Sequence, residues 1–323
     1  MLLSIIIPIY NVEKYIAKTL ESIFLQNIDF NQIEIILVND GTPDCSMMIA
    51  QQWIYNYPQI KVINQSNQGL SCARNSGLKI ANGEYIWFVD SDDTLVDNSI
   101  EKVISCINNT TADIIGFDMI CVDETSKYEY IQSIAIKNKK IYNRYYTWHS
   151  ILGKTHNAPV QRFLYKHSFL KNNNLFFYPN ILHEDQEFNI RAFFLAKSII
   201  LKPFSTYRYL LRSSGSIMST PNLRSVESKM IIIDSLQKFK QDKTHSKKEM
   251  RYIDYHIFFF VTSILTTKID DKVFNNYSRK YYNLYRKYAI KGLIANMHLF
   301  YIKKLLKAMC VCISPTLFRK IFK

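Results

Sequence analysis

The chain has 323 residues, 48% hydrophobic and 21% charged, which excludes a disordered protein and leaves room for two domains or one domain with a large appendage. Its net charge of +14 is uneven: residues 1–110 carry 6 Lys/Arg against 12 Asp/Glu, whereas residues 221–323 carry 21 against 7. The basic last third suits an anionic surface, either phospholipid or nucleic acid, and the acidic N-terminal half argues against a nucleic-acid-binding protein.

Ser4 to Tyr10 reads as a short buried strand ending at Pro8, where a missing backbone donor is tolerated. Val12 to Gln26 follows with helical spacing, Tyr15, Ile16, Thr19, Leu20, Ile23 and Phe24 making one face. Ile33 to Val38 is a second strand that runs into the turn chemistry of Asn39-Asp40-Gly41-Thr42-Pro43-Asp44. A helix over Cys45–Tyr57, a strand over Ile60–Ile63 and a helix over Gly69–Ala81 complete an alternation that predicts a parallel, doubly wound α/β sheet. Neither G-x-G-x-x-G after the first strand nor G-x-x-x-x-G-K-[ST] is present, which disfavours a dinucleotide fold and a P-loop.

Tyr85 to Val89 is an apolar run that stops on Asp90-Ser91-Asp92-Asp93. Ligands of open α/β sheets sit beyond the carboxyl ends of the strands. Extended geometry would point Asp90 and Asp92 the same way, and a bound cation relieves such crowded carboxylates. Mg²⁺ is typically held by one or two carboxylates together with substrate phosphates. The plainer alternative is turn chemistry, with Asn98-Ser-Ile-Glu101 spaced as a capping box for the next helix.

Four segments carry a resemblance: Ser4-Ile-Ile-Ile-Pro-Ile-Tyr-Asn11, Ile36-Leu-Val-Asn-Asp-Gly-Thr42, Asn67-Gln-Gly-Leu-Ser-Cys-Ala-Arg-Asn-Ser-Gly77 and Phe88-Val-Asp-Ser-Asp-Asp93. In this order and spacing the chain resembles a family 2 glycosyltransferase of the GT-A fold, strongly over residues 3–95 and more weakly to about 220. The resemblance implies a donor-binding half (1–110) and an acceptor and catalytic half (111–220); beyond it, charge and spacing mark residues 221–323 as a separate basic helical region. The resemblance also implies that Pro8 and Tyr10 line the nucleotide base, that Asp40 accepts a hydrogen bond from it, and that Arg74 approaches base or diphosphate. Asp90 and Ser91 would meet the nucleotide sugar, and Asp92 with Asp90 would ligate Mn²⁺ or Mg²⁺. On the residues alone, spacing favours Tyr10 as a core aromatic, and Arg74 can be read as a solvated helix arginine.

Further along, Asp113 to Cys121 reads as another strand and Tyr128 to Tyr146 as irregular and acceptor-facing. His183-Glu-Asp-Gln-Glu-Phe188 opens a helix, where acidic residues also complement the dipole. The resemblance makes Asp185 the catalytic base, and His183 is a metal or acceptor contact or simply structural. In Tyr207-Arg-Tyr-Leu-Leu-Arg-Ser-Ser-Gly-Ser216, Arg212 is the candidate counter-charge for the leaving group and Arg208 its competitor. Helices are predicted at about 224–240, 247–267, 273–290 and 295–309, the last with an apolar face flanked by lysines that suits either the main domain or a membrane interface.

The resulting expectation is an inverting transferase using a nucleotide-diphosphate sugar, most simply UDP-linked. Its acceptor would be a glycan or lipid-linked saccharide of a bacterial surface polysaccharide. No apolar stretch reaches the roughly 18 residues of a membrane span, and the six cysteines read as reduced thiols, so a cytoplasmic place, peripheral to the inner membrane face, is expected. The alternatives are a nucleotidyltransferase, disfavoured by the glycine-free Tyr10-Asn-Val-Glu-Lys14, and a non-catalytic nucleotide- or membrane-binding subunit.

Overall fold

A computed structural model describes residues 1–125, 127–133, 140–141, 159–212, 223–241 and 247–266. The chain divides into two compact units, one of residues 1–180 and 184–216, the other of residues 181–183 and 217–323.

The first unit is built on a ten-stranded sheet. Its strands are β1 (Leu3–Ile9), β2 (Ile33–Asn39), β3 (Ile60–Asn64), β4 (Tyr85–Phe88), β5 (Thr94–Leu95), β6 (Ile114–Asp123), β7 (Glu129–Gln132), β8 (Lys140–Ile141), β9 (Phe163–Lys166) and β10 (Ile199–Leu211). They lie in the order β3-β2-β1-β4-β9-β6-β10-β5, with β7 added on β6 and β8 on β10. The first four are parallel, β6 and β10 are parallel, and β9 runs antiparallel between β4 and β6. The sheet is therefore mixed but largely parallel, and β1, β2, β4 and β10 all end at one edge. The helices are α1 (Ile16–Phe24), α2 (Ser46–Asn56), α3 (Leu70–Ile80), α4 (Ser99–Asn108), α5 (His167–Asn172) and α6 (Glu184–Leu195).

Buried parallel strands present apolar residues to both faces, which is why these runs do not alternate in polarity. Ile5, Ile7 and Ile9 of β1 and Ile35 and Leu37 of β2 share one core with Ile16, Leu20 and Ile23 of α1, Trp53 of α2 and Val103 of α4. Ile6 and Val38 face the other way, toward Gly77 of α3: a Cβ there would lie 2.4 Å from Ile6 Cγ2. Helices thus cover both faces.

Three local expectations need correction. The strand at Pro8 continues to Ile9, paired with Asn39. Ile6 O accepts from Val89 N, so the backbone N–H and C=O of even-numbered residues of β1 are directed at β4, and Pro8 lies past β4's last paired residue, Phe88, where no donor is missed. The capping box does not form: Asn98 is left-handed with φ 58°, and the amide of Ile100 donates instead to Gln26 Oε1 (2.9 Å). The segment read as irregular after Tyr128 contains β7 and β8.

Gly83 shows why its position excludes a side chain. Its amide donates to the Ser4 hydroxyl, which donates to the buried Glu34 carboxylate. A Cβ would stand 2.5 Å from Ser4 N and 2.7 Å from Leu3 C, both backbone atoms. Gly83→Ala is expected to cost about 3 kcal/mol, the upper range of overpacking, and to lower the thermal midpoint by roughly 6–12 °C. Circular dichroism melts check this.

In the second unit, α7 (Leu223–Phe239) and α8 (Lys247–Thr266) correspond to the first two C-terminal helices expected. Val226, Ile232, Ile233 and Leu236 of α7 and Ile253, Ile257, Phe260 and Val261 of α8 are buried. The helices expected at 273–290 and 295–309, and the Gly-Ser loop after Arg212, lie outside the described residues. No helix among the described residues is long and apolar enough to cross a membrane.

Candidate active site

The acidic residues come together by a route the sequence did not suggest. β4 stops at Phe88, and Asp90 to Asp93 form a turn rather than an extension of the strand. Strand alternation therefore does not aim Asp90 and Asp92. The turn does so, bringing one carboxylate oxygen each of Asp90, Asp92 and Asp93 within 4.8 Å of one another. It is held from beneath by α1, where the Thr19 hydroxyl lies 2.9 Å from Ser91 O and 2.7 Å from Asp93 O. β5 then carries the chain back onto β10.

The three carboxylates have different surroundings. Asp93 is fully buried, accepting from the Tyr207 hydroxyl (2.7 Å) and from Leu210 N (2.7 Å). Burial, then the charges of Asp92 and Asp90, push its carboxyl well above the usual range. The Tyr207 hydroxyl also accepts from Asp90 N (3.0 Å) and so pins both ends of the turn. Asp92 is half-buried and pairs with Arg212, whose guanidinium lies 5.0 Å from the centre of the Tyr15 ring. Burial and the Asp90 charge raise the Asp92 carboxyl against the pull of Arg212. Asp90 is half-buried, gripped on one oxygen by Arg74 Nη2 (2.7 Å) and on the other by Gln161 Nε2. Ser91 is buried, 5% exposed.

Hard oxygen ligands, part-exposed on Asp90 and Asp92, with mutual repulsion raising Asp92, are the donor set that Mg²⁺ or Mn²⁺ takes. The residues present therefore fit a divalent cation.

Asp185 stands in the first turn of α6, with Glu184 and Glu187 beside it in sequence. Desolvation pushes its carboxyl up to about 7, the Glu184 charge adds to this and Arg74 opposes it. A carboxyl with that value is poised to accept a proton near neutral pH. Arg74 is not a solvated helix arginine: it is 1% exposed and pairs with both Asp90 and Glu184 Oε1 (2.8 Å).

The remaining candidates divide. Pro8 is buried within β1, and Tyr10, just past it, is 48% exposed, which removes the core-aromatic alternative. Asp40 is 3% exposed and its carboxylate is occupied from within: Oδ1 accepts from Gln65 Nε2 (2.7 Å) and Gln68 N (2.9 Å), Oδ2 from Gly69 N (2.8 Å). It braces the loop that opens α3, at the position the resemblance assigns to a hydrogen bond from the base. The loops after β1 and β2 are buckled together, Asn11 N donating to Thr42 Oγ1 (2.8 Å) and Glu13 N to Asp44 Oδ2 (2.9 Å). Arg208 points elsewhere, pairing with Glu129 at 3.0 Å, so Arg212 alone of the two meets the acidic turn. His183 belongs to the second unit, its Nε2 lying 3.2 Å from Ser225 Oγ. Burial first, then the Lys229 charge, lowers it to about 4 and keeps the imidazole neutral.

Sequence reasoning gave no role to Thr19, Gln161, Glu184 or Tyr207. Thr19, Glu184 and Tyr207 come from elements that were expected and Gln161 from a short turn that was not, and their partners in the site lie 71 or more residues away. Only the Glu-Asp pair at a helix start signalled one of them.

A protein-family model described as "Glycosyl transferase family 2" matches residues 4–172. The uncharacterized glycosyltransferase EpsJ of Bacillus subtilis (strain 168) is 35% identical over 213 residues, covering 64% of this chain and 60% of that protein. The minor teichoic acid biosynthesis protein GgaB of the same organism is 46% identical over 103 residues, 32% of this chain and 11% of that protein. The chain thus spans only part of the length of these relatives. Among solved structures, S. aureus TarS 1–349 in complex with UDP-GlcNAc superimposes with a TM-score of 0.77 at 20% identity, covering 100% of this chain and 90% of that one, a likeness of GT-A fold.

Proposed function

The chain belongs to glycosyl transferase family 2, and from that premise we propose that it transfers a sugar from a nucleotide-diphosphate donor, UDP-linked, to a hydroxyl group with inversion. The observation that carries this reading is the pairing of a metal-fitting acidic turn with a carboxyl tuned to about 7 at the start of α6.

Asp185 takes the proton of the acceptor hydroxyl, whose oxygen attacks the anomeric carbon on the face opposite the diphosphate. The bond from that carbon to the diphosphate breaks as the new glycosidic bond forms, and the nucleoside diphosphate leaves. Asp90 and Asp92 would hold a divalent cation, which when bound neutralises charge developing on the diphosphate. Arg212, a planar fork beside Asp92, offers the leaving group a second positive contact. Tyr207, Thr19 and Gln161 fix the turn before the donor arrives, so little reorganisation remains at the moment of reaction.

The teichoic acid assignment of GgaB and the UDP-GlcNAc of TarS support a surface-glycan acceptor and a UDP donor. The acceptor we propose is a glycan or lipid-linked saccharide, reached from the cytoplasmic face. Calorimetry of UDP with Mn²⁺, beside GDP, CDP and dTDP, tests the donor. Binding of UDP that disappears with a chelator is the expected result. Preference for another nucleotide overturns the UDP assignment, and binding of none overturns the transferase reading.

A further inference from the structure

We infer that Arg74 and Asn75 form a clasp that fastens the start of α6 to the acidic turn, making Arg74 a positioning residue for Asp185 rather than a donor contact. This rests on the transferase reading for its consequence, but the clasp itself is read from contacts.

Both terminal nitrogens of the Arg74 guanidinium are bonded within the protein, while its buried Nε has no hydrogen-bond partner among the described residues. Nη2 bonds Asp90 Oδ1 at 2.7 Å and Nη1 bonds Glu184 Oε1 at 2.8 Å. One face lies over the Phe177 ring, 5.2 Å from its centre. Phe177 is itself stacked on Phe188 of α6 (4.2 Å, 10° between planes) and meets Phe88 of β4 edge-on (4.9 Å). At 1% exposure the side chain has no surface left for a nucleotide.

The next residue works on the same segment. Asn75 Nδ2 donates to Phe177 O (2.9 Å), and Phe177 N donates to Asn75 Oδ1 (2.9 Å). Two consecutive residues of α3 thus grip the approach to α6 by its backbone, its aromatic ring and its first residue. The same arginine grips the turn after β4. The two carboxylate-bearing pieces of the reaction, the acidic turn and the helix start, therefore share one fork. A lysine could not span both, because the two bonds leave one rigid plane in different directions.

The groups that act on Asp185 come from several elements: Arg74 from α3, Asp90 from the turn after β4, Glu184 from α6, Tyr165 from β9 and Tyr209 from β10. Only Arg74 is cationic among them. The clasp thus sets both where the base stands and how readily it ionises.

The test is an NMR titration of the full chain labelled at the aspartate carboxyl carbons, the Asp185 signal being assigned by its loss in Asp185→Asn. It needs no ligand. Glu184→Gln should move the Asp185 midpoint down by about one pH unit, and Arg74→Gln should move it up by a similar amount. Asn75→Ala touches no carboxylate, yet by loosening the helix start to water it should move the midpoint toward the ordinary carboxylate range. Calorimetry should find UDP affinity in Mn²⁺ within about threefold of wild type for Glu184→Gln and Asn75→Ala, since a contact to charge would be worth more than that. Unmoved midpoints, or a loss of UDP affinity of about tenfold or more in Asn75→Ala, overturn the clasp. If Arg74→Gln does not fold, the other two variants decide. A wild type that binds no nucleotide defeats the transferase reading while leaving the titration result standing.

Discussion

Asp185→Asn is expected to reduce turnover by about a thousandfold, the weight of a general base, and at the same time to make the protein more stable above neutral pH. The two effects share one cause. The native carboxyl titrates near 7, against an ordinary 3.8, chiefly because the fold desolvates it. Between those values the native state holds a proton that the unfolded chain has released. The group's contribution to stability is therefore intact below about pH 4 and lost as pH rises through about 7. Asparagine keeps the shape and never ionises. At about pH 8 the gain should be roughly 1–2 kcal/mol, after discounting for the solvent that still reaches a half-buried group. Thermal melts of the two proteins across pH should diverge above neutrality and converge in acid. In the wild type, the rate under donor and acceptor saturation should climb through about pH 7 as the base is uncovered. An asparagine variant that melts lower than wild type at every pH would show that the carboxylate is a structural anchor.

The second large effect is expected at Asp92. Asp92→Asn should weaken UDP binding in Mn²⁺ by on the order of 100-fold, about 2.7 kcal/mol, and make the residual affinity insensitive to a chelator. Asp93 does not substitute for it: it is fully buried beneath Tyr207 and Leu210, whereas Asp90 and Asp92 are part-exposed. Acid should mimic the mutation. Burial and mutual repulsion hold Asp92 and Asp93 above the usual carboxylate range. The metal-dependent part of UDP binding should consequently fade at a higher pH than ordinary carboxylates would give. Calorimetry in paired buffers with Mn²⁺ or chelator measures this. Retained metal dependence in Asp92→Asn would remove Asp92 from the ligand set.

Much of the first 110 residues was legible because β1, β2 and β4 are apolar runs closed by turn chemistry and the helices between them show buried stripes. Thr19 illustrates the limit. Its place on the buried face of α1 was readable, but its hydroxyl serves carbonyls at Ser91 and Asp93, and nothing local to Thr19 announces that. Tyr207 reaches Asp93 across a separation of 114 residues and Gln161 reaches Asp90 across 71, distances over which single-sequence spacing carries no geometry. Arg74 shows a different limit. An arginine in a helix is ordinarily solvated, and only the fold shows this one buried between two carboxylates and a phenylalanine. At Asn98 a matching motif was overridden by Gln26, which reached the helix start first.

The antiparallel β9 between two parallel groups of strands bears on how such a protein can vary. It meets β4 through Trp87↔Leu164 and β6 through Ile115↔Leu164, so one short strand splices the two groups in fixed register. The residues just before it carry Gln161 to Asp90. The chain between Asp123 and Phe163 is thus closed at both ends by the sheet. Lengthening such a connection costs only about 0.6 kcal/mol per doubling in chain entropy. Sequence can therefore be spliced in there at small thermodynamic cost while the acidic turn keeps its geometry, so this connection can diverge in a lineage without rebuilding the turn.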